Sequence, residues 1–204
     1  MYDIAIIGGG VIGCALAREL SRYKASLVVL EKEDDVCSGS SKANSGIAHA
    51  GFDAKPGTNK ARFNVLGSKM MKDYCEELGV KYKNNGALVI AFGKEDEKTL
   101  EELLERGKIN GVDGLEILDR KRLHEVEPNV SPEATAALYA KTSGIVCPYD
   151  LTFACMGNAM DNGAELKTDF AVEKIDKNGE YYTLTAHSGE SVQAKIVVNC
   201  AGAG

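Results

Sequence analysis

The first thirty residues alternate apolar runs with a glycine-rich turn and an amphipathic segment. Residues 2–8, YDIAIIG, and residues 26–31, SLVVLE, are apolar runs of strand length, and residues 11–23 between them have a helical period. The apolar positions at helical spacing are Ile12, Ala15, Leu16 and Leu20. A strand, a helix and a second strand make a βαβ unit, and such a crossover implies a parallel sheet.

The middle of the chain has mostly helical patterning. Residues 59–79 carry an apolar stripe that predicts a long amphipathic helix ending at Gly79. The stripe consists of Phe63, Leu66, Met70, Tyr74 and Leu78. Further predicted elements are a strand at 86–92, helices at 94–110, 119–127 and 149–163, and a strand at 134–148 that turns at Ser143-Gly144.

The last forty residues change to alternating strand patterns. Asn178-Gly179 and Ser188-Gly189 are hairpin signals, so residues 165–193 predict a β-meander that runs into a new apolar strand at 194–202. The fold class is therefore α/β with a parallel sheet and a meander. Because a glycine-rich loop after a buried strand is where an α/β fold turns toward its ligand, we expect the chain to be part of a longer protein.

Composition narrows the class of protein. The chain of 204 residues is 44% hydrophobic and 26% charged, which is typical of a globular domain with a real core. A net charge of −6 without a basic cluster argues against nucleic acid as a partner. The six cysteines form no CxxC pair, and neither a secretory signal nor a spanning helix is predicted, so we expect a cytoplasmic protein. Peripheral attachment to the inner membrane through a partner stays open.

Residues 8–13, GGGVIG, match the pattern G-x-G-x-x-G between the first predicted strand and helix, the context that dinucleotide binding requires. Gly8 permits the tight turn, Gly10 lets the main chain approach a diphosphate, and Gly13 lets the helix pack closely on the strand. The diphosphate would lie at the helix N-terminus, where unpaired N–H groups favour negative charge. A glycine-rich turn without a ligand is the alternative.

Glu31 strengthens this interpretation because it ends the second predicted strand, eighteen residues after Gly13. A carboxylate at that place can accept both hydroxyls of an adenosine ribose, and it repels a 2′-phosphate, so NADP fits poorly. The alternative is a solvated glutamate at the end of a strand. Together with the glycines, Glu31 predicts a dinucleotide site.

Residues 40–51, SSKANSGIAHAG, form a hydroxyl-rich loop that should lie along the same ligand. The loop contains Gly46 and Gly51, and Gly39 directly precedes it. Its compact hydrogen-bond donors are Ser40, Ser41, Asn44 and Ser45, and Ser38 lies just before the loop. Such a loop can follow a ribityl-diphosphate chain without filling the site. This pattern favours a long ligand contacted at several points, which is FAD rather than NAD.

Four segments spread over nearly the whole chain carry a family resemblance. They are IIGGGVIG with Glu31, SSKANSGIAHAGFDAKPGT, SGIVCPYDL and VVNCAG. Together they resemble the FAD-dependent oxidoreductases of the D-amino-acid-oxidase superfamily, in the group of glycerol-3-phosphate dehydrogenase and L-2-hydroxyglutarate oxidase. The second segment is the most specific, and it is similar to the anaerobic type of glycerol-3-phosphate dehydrogenase.

The resemblance implies FAD as the cofactor and a Rossmann-like FAD-binding domain interrupted by an α+β substrate or cap region. By position, residues 1–80 and 148–204 belong to the first part, and residues 81–147 belong to the second. Members of the family are much longer, so we expect incomplete cofactor burial and little activity from this length alone. The residues expected to contact the cofactor are Gly8, Gly10, Gly13, Glu31, Lys32, Ser40, Ser41, Asn44, Ser45, Gly46, Ala201 and Gly202.

The implied reaction oxidises glycerol 3-phosphate to dihydroxyacetone phosphate, with hydride transfer to flavin N5 and electrons passed to a quinone or partner subunit. His49 is the candidate catalytic residue, because it falls where the family places a histidine beside the isoalloxazine ring. A hydrogen-bonded core histidine is the alternative. No metal site is predicted.

An anionic substrate needs cations, and those nearest to His49 in sequence are Lys42, Lys55, Lys60 and Arg62. Lys55 is the candidate substrate contact, with a surface lysine as the alternative. Aerobic relatives place an arginine four residues after the histidine, where this chain has Asp53. A 2-hydroxy acid such as L-2-hydroxyglutarate, or an amino acid, is therefore an alternative substrate. A non-catalytic nucleotide-binding module is the alternative from another class.

Overall fold

The computed structural model describes residues 1–202 and divides the chain into two compact units. Of the described residues, the first unit contains 1–45, 78–80 and 147–202, and the second contains 46–77 and 81–146. Within residues 1–202, no helix combines the length and the apolar character needed to cross a bilayer.

The first unit is built on a six-stranded sheet with helices α1 and α5. Its elements are β1 (Tyr2–Ile7), α1 (Val11–Leu20), β2 (Leu27–Leu30), α5 (Pro148–Asp161), β9 (Glu165–Lys167), β10 (Val172–Asn178), β11 (Tyr181–Ala186) and β12 (Ser191–Asn199). The strand order is β10-β11-β12-β1-β2-β9. β12, β1, β2 and β9 are parallel, whereas β10, β11 and β12 pair antiparallel, so the α/β fold class is confirmed.

β12 belongs to both parts of this sheet. Its first half pairs antiparallel with β11, with Val192 opposite Leu184, and its second half pairs parallel with β1, with Val197 opposite Ala5. The sequence predicts a meander followed by a separate strand, but one continuous strand serves both. β9, which the sequence places in the meander, instead extends the parallel part beside β2.

The apolar face of α1 differs from the predicted one. Gly13, Cys14, Ala17 and Arg18 are buried, whereas Ile12 is 68% exposed. Three of the four buried residues are small, since Gly13 lets the first turn of the helix approach the main chain at the end of β1 and Ile12 stays outside this contact.

The second unit contains two three-stranded sheets and helices α2 to α4. Its elements are β3 (Ile47–Ala48), α2 (Asn59–Glu77), β4 (Tyr82–Lys83), β5 (Ala87–Ala91), α3 (Lys94–Asn110), β6 (Leu115–Asp119), α4 (Arg120–Val126), β7 (Ala136–Ala140) and β8 (Gly144–Val146). The sheets have the orders β3-β8-β4 and β5-β7-β6, and all their pairings are antiparallel. The strand predicted at 134–148 is therefore two strands in two sheets, divided at the predicted turn.

The core of the second unit joins α2, α3 and the sheet β5-β7-β6 through Val65, Leu100 and Leu138. The predicted stripe on α2 is not the buried one, since Phe63, Leu66 and Met70 are exposed and Ala61, Val65 and Cys75 are buried. As on α1, the smaller side chains of the helix make the buried contact with the core.

The division into units differs from the predicted boundaries in one segment. Residues 46–77, which the sequence places with the cofactor part, group with residues 81–146. The physical reason is that β3 pairs with β8 and that α2 packs its Val65 in the core of the second unit. Which unit binds cofactor and which binds substrate remains a prediction.

A cluster of polar side chains joins β12, β1 and β2 where the parallel part of the sheet begins. Lys195 Nζ donates to Asp3 Oδ1 at 2.7 Å, and both Ser26 N–H and Ser26 Oγ donate to Asp3 Oδ2 at 2.9 Å. The hydrogen bond from Lys195, followed by those from Ser26, holds the pKa of the Asp3 carboxyl well below its usual range.

We predict that Asp3→Asn lowers the urea midpoint at pH 7. Because the folded-state pKa of Asp3 is depressed, its contribution to stability is present above its usual pKa of about 3.9 and is lost as the pH falls below it. The difference in urea midpoint between wild type and variant should therefore narrow progressively as the pH falls from about 5 toward 2. Asp176→Asn is the control, since Asp176 has an exposed ion pair with Lys174 at 2.8 Å. A gap that is unchanged at acid pH would contradict this account.

Candidate functional site

The turn between β1 and α1 depends on two close approaches of main chain. Gly8 has φ of +105°, and a Cβ there would lie 2.5 Å from the carbonyl oxygen of Cys200. A Cβ on Gly13 would lie 2.0 Å from the carbonyl oxygen of Gly8. No side chain fits at either position, so the turn requires glycine at both.

The first turn of α1 opens toward Gly10, the N-cap residue, which contributes no side-chain hydrogen bond. A helix N-terminus leaves N–H groups unpaired and carries a partial positive charge. Ser41 Oγ accepts the N–H of Val11 at 2.9 Å and would lie 3.1 Å from a Cβ on Gly10. The serine-rich loop therefore lies against the glycine turn, as the sequence predicts for residues along one ligand.

Glu31 lies behind the same turn and is 7% exposed. Its Oε2 accepts the N–H of Gly9, and its Oε1 accepts the N–H of Glu33 at 3.0 Å. These two bonds fix the plane of the carboxylate while each oxygen keeps a further lone pair. The glycine turn and the end of β2 are thus held in one geometry by a single side chain.

A pocket of about 440 Å³ lies in the first unit at the carboxyl ends of β1, β2 and β12. Nine of the residues that the sequence predicts to contact the cofactor line this pocket: Gly8, Gly10, Glu31, Lys32, Ser40, Ser41, Asn44, Ala201 and Gly202. Val11, Ile12, Gly39 and Cys200 complete its lining. Ligands of open α/β sheets bind at this edge.

Three predicted cofactor residues do not line this pocket. Gly13 lies behind the turn, where it makes the close helix contact. Ser45 is exposed, and Gly46 belongs to the second unit, where its carbonyl accepts the N–H of Val146 at 2.9 Å. The main chain of the serine-rich loop thus leaves the first unit after Ser45.

Two thiols near the turn are poor nucleophiles. Burial is the largest cause that raises the pKa of Cys14 to about 12, and its Sγ donates to the carbonyl of Gly9 at 3.3 Å. Partial burial also raises the pKa of Cys200 at the pocket wall. A neutral thiol is a weak nucleophile, so neither group is set up for covalent chemistry.

His49 lies in the second unit directly after β3. Ala48 and Ala50 on either side of it are buried and His49 is exposed, as strand alternation requires. His49 lines a pocket of about 220 Å³ together with Gly51, Phe52, Asp53, Lys60 and Asn64. The candidate histidine is therefore presented to a concave surface with one cation and one carboxylate beside it.

Lys55 is exposed, and its carbonyl accepts the N–H and the hydroxyl of Thr58 at the start of α2. The lining of the His49 pocket includes Lys60, not Lys55. The structure therefore places Lys60 beside His49, whereas the sequence suggests Lys55 as the substrate contact.

Comparison with known proteins decides the family. Residues 3–204 match the family model described as FAD dependent oxidoreductase. The chain belongs to the FAD dependent oxidoreductase family. The resemblance found in the sequence is confirmed, and so is FAD as the cofactor.

Among relatives of this flavoprotein, glycerol 3-phosphate dehydrogenase of Caloramator mitchellensis is 46% identical over 99% of this chain and 42% of its own length. Mitochondrial L-2-hydroxyglutarate dehydrogenase of Dictyostelium discoideum is 36% identical over 87% of this chain and 42% of its own. The structure of L-alpha-glycerophosphate oxidase from Mycoplasma pneumoniae with FAD bound has a TM-score of 0.91 at 31% identity, covering 96% of this chain and 53% of that one. The chain spans about half the length of the relatives it matches.

The residues of the first unit fit FAD. The glycine turn has no room for a Cβ at Gly8 or Gly13, and it brings main-chain N–H groups to the pocket. Glu31 lines the same pocket and is held there by the N–H of Gly9. Diphosphate and ribose hydroxyls are the groups that such donors and acceptors bind. Within residues 1–202, no group of three or more His, Cys, Asp or Glu side chains is placed to hold a metal ion.

Sequence reasoning missed two kinds of residue in this flavoprotein. Val11 and Ile12 line the pocket, but the helical period marks Ile12 as a core position. Gly9 occupies a variable position of the glycine pattern, although its N–H is the donor to Glu31. All three residues lie inside the G-x-G-x-x-G pattern, and this position could have identified them. The first turn of a helix that binds a ligand must stay open to that ligand, so other parts of the protein cannot cover it.

We predict that Gly13→Ala destabilises the protein by about 1–3 kcal/mol and weakens FAD retention, because its methyl group would meet the Gly8 carbonyl. Gly157→Ala is the matched control. Gly157 is exposed within α5 with nothing within 4 Å of a Cβ, so this variant should be about 0.5–1 kcal/mol more stable. Urea unfolding and flavin absorbance measure both effects, and equal behaviour of the two variants would refute the close-approach argument.

Proposed function

We propose that the protein oxidises glycerol 3-phosphate to dihydroxyacetone phosphate with FAD as hydride acceptor. The observation that carries the proposal is the 46% identity, over 99% of this chain, to a glycerol 3-phosphate dehydrogenase. A fold match to L-alpha-glycerophosphate oxidase with a TM-score of 0.91 supports the same substrate class. FAD supplies the two-electron redox chemistry when it is bound.

The chain's own residues have two tasks in this proposal. Gly8, Gly10 and Ser41 would bind the diphosphate at the start of α1, and Glu31 would accept the ribose hydroxyls. Support comes from the 440 Å³ pocket that gathers these residues and from the fixed carboxylate of Glu31. Lys32, Asn44, Ala201 and Gly202 are further contacts, because they line the same pocket.

His49 would take the proton of the substrate hydroxyl as hydride leaves C2. Its exposure in a concave pocket supports this role over that of a core histidine. Lys60 in the same lining is a cation for an anionic substrate, and Lys55 is a second one close in sequence. Proton transfer by a positioned side chain contributes roughly 10²- to 10⁴-fold to the rate.

A 2-hydroxy acid is the second candidate substrate. L-2-hydroxyglutarate dehydrogenases of several organisms are 31–36% identical to this chain. Asp53 also lines the pocket of His49, and a carboxylate there repels the dianionic phosphate of glycerol 3-phosphate more strongly than it repels a single carboxylate of a hydroxy acid. These two observations give this alternative its specific support.

We further propose a cytoplasmic location and an electron acceptor other than oxygen, namely a quinone or a partner subunit. The location is supported by the six cysteines, all of which carry thiols and not disulfides. The acceptor is supported by the dehydrogenase relatives. Peripheral attachment to a membrane would then occur through the partner.

The test is anaerobic bleaching of the full-length holoenzyme with glycerol 3-phosphate and L-2-hydroxyglutarate in parallel. We expect the absorbance near 450 nm to disappear with glycerol 3-phosphate and to persist with the hydroxy acid. The reverse result would establish the second candidate. Bleaching by neither compound would overturn both, and peroxide release in air would identify an oxidase.

We predict that His49→Gln slows flavin reduction by roughly 10²- to 10⁴-fold, because glutamine cannot accept the substrate proton. The FAD content should not change, since His49 lies in the second unit and outside the lining of the cofactor pocket. Stopped-flow absorbance measures the rate, with His187→Gln as the control on an exposed histidine. Flavin reduction at the wild-type rate would exclude His49 as the proton acceptor.

A further inference from the structure

The segment that follows His49 is fixed by side chains from outside it. The N–H of Ala50 donates to the buried Ser143 Oγ at 3.2 Å, and Arg106 Nη1 donates to the carbonyl of Asp53 at 3.2 Å. Gly51 has φ of +102°, and a Cβ there would lie 2.9 Å from Val65 Cγ2. This segment has no regular secondary structure, so its conformation depends on these contacts.

Asn110, the last residue of α3, makes the most specific of these contacts. Its Nδ2 donates to the carbonyl of Gly51 at 3.0 Å and to the carbonyl of Ala54 at 2.8 Å. An amide nitrogen has two hydrogens, and both are used. Because both partners are acceptors, only the nitrogen of the amide can face them. A single side chain thus spans the turn formed by residues 51–54.

We propose that Asn110 is a positioning residue for His49, holding residues 51–54 and thereby the histidine in the orientation that proton transfer needs. This inference rests on the proposed function, in which His49 accepts the substrate proton. On one side of the histidine, β3 is held by its ladder to β8; on the other, the two bonds of Asn110 hold the turn. The histidine lies between these two fixed points.

The fixed turn also shapes the surface around the imidazole. Gly51, Phe52 and Asp53 line the same pocket as His49, so a shift of the turn changes the wall of the pocket. Phe52 packs against Gly107 of α3, where a Cβ would lie 2.9 Å from Phe52 Cβ. Misplacement of a reacting group by about 1 Å costs up to about 10²-fold in rate.

Asn110→Asp in the full-length holoenzyme tests the inference. Aspartate has the same shape, but it replaces two donors with a carboxylate that faces two carbonyl oxygens. We expect amide hydrogen exchange at residues 49–54 to accelerate by on the order of tenfold. We expect kcat to fall roughly ten- to hundredfold and KM to change much less, since the proton acceptor is misplaced whereas Lys60, the cation proposed for the substrate, lies on α2 outside the turn.

Asn162→Asp is the matched control, since Asn162 Nδ2 also donates to a main-chain carbonyl, that of Asn158, at the end of α5. It should leave exchange at residues 49–54 and kcat unchanged. Asn110→Ala removes the two donors without adding charge, and it should reproduce the Asn110→Asp result if the aspartate variant folds poorly.

A double variant separates positioning through His49 from a general structural effect. If Asn110 acts through the histidine, Asn110→Asp should slow the His49→Gln enzyme by less than about twofold. A full, multiplicative loss in that background would overturn the inference, as would unchanged exchange or unchanged kcat in Asn110→Asp alone. If His49→Gln reduces flavin at the wild-type rate, the proposed function itself fails and the positioning role falls with it.

Discussion

The pocket of the first unit depends on the absence of a side chain at two glycines. The carbonyl of Gly8 lies where a Cβ of Gly13 would be, and the carbonyl of Cys200 lies where a Cβ of Gly8 would be. These approaches bring β1, β12 and the first turn of α1 together at one point. Main-chain N–H groups and a helix N-terminus then face the same pocket, which is what an anionic dinucleotide requires. The predicted contacts of Gly8 and Gly10 to FAD depend on this geometry.

Polar side chains hold the regular elements where the glycine turn alone could not. Glu31 joins the turn to the end of β2, and the cluster around Asp3 joins the opposite ends of β12, β1 and β2. In the second unit, Asn110 has the same function for the segment after His49. In each case one carboxylate or amide satisfies two or more partners, and for the segment after His49 these bonds replace a hydrogen-bond ladder.

Helical periods located the helices but not their buried faces. The bounds of α1, α2 and α3 agree with the predicted segments to within a few residues. On α1, however, Ile12 is exposed and Ala17 is buried, and on α2 the large residues Phe63, Leu66 and Met70 are exposed. The period measures where apolar residues recur, whereas the contact distance between elements decides which residues fit. Short strands such as β3 and β4 have no signal of their own, since they form only by pairing with β8.

The sequence by itself determined the βαβ unit, the glycine turn, the carboxylate at the end of β2 and the family, because these depend on local spacing between residues near in the chain. Tertiary structure decided that β12 completes both the meander and the parallel sheet, and that residues 46–77 pack with the second unit. It also decided that Asn110 contacts the turn after His49, across more than fifty residues of chain. Pairings between distant segments depend on packing energies summed over the whole fold, so no local pattern reveals them.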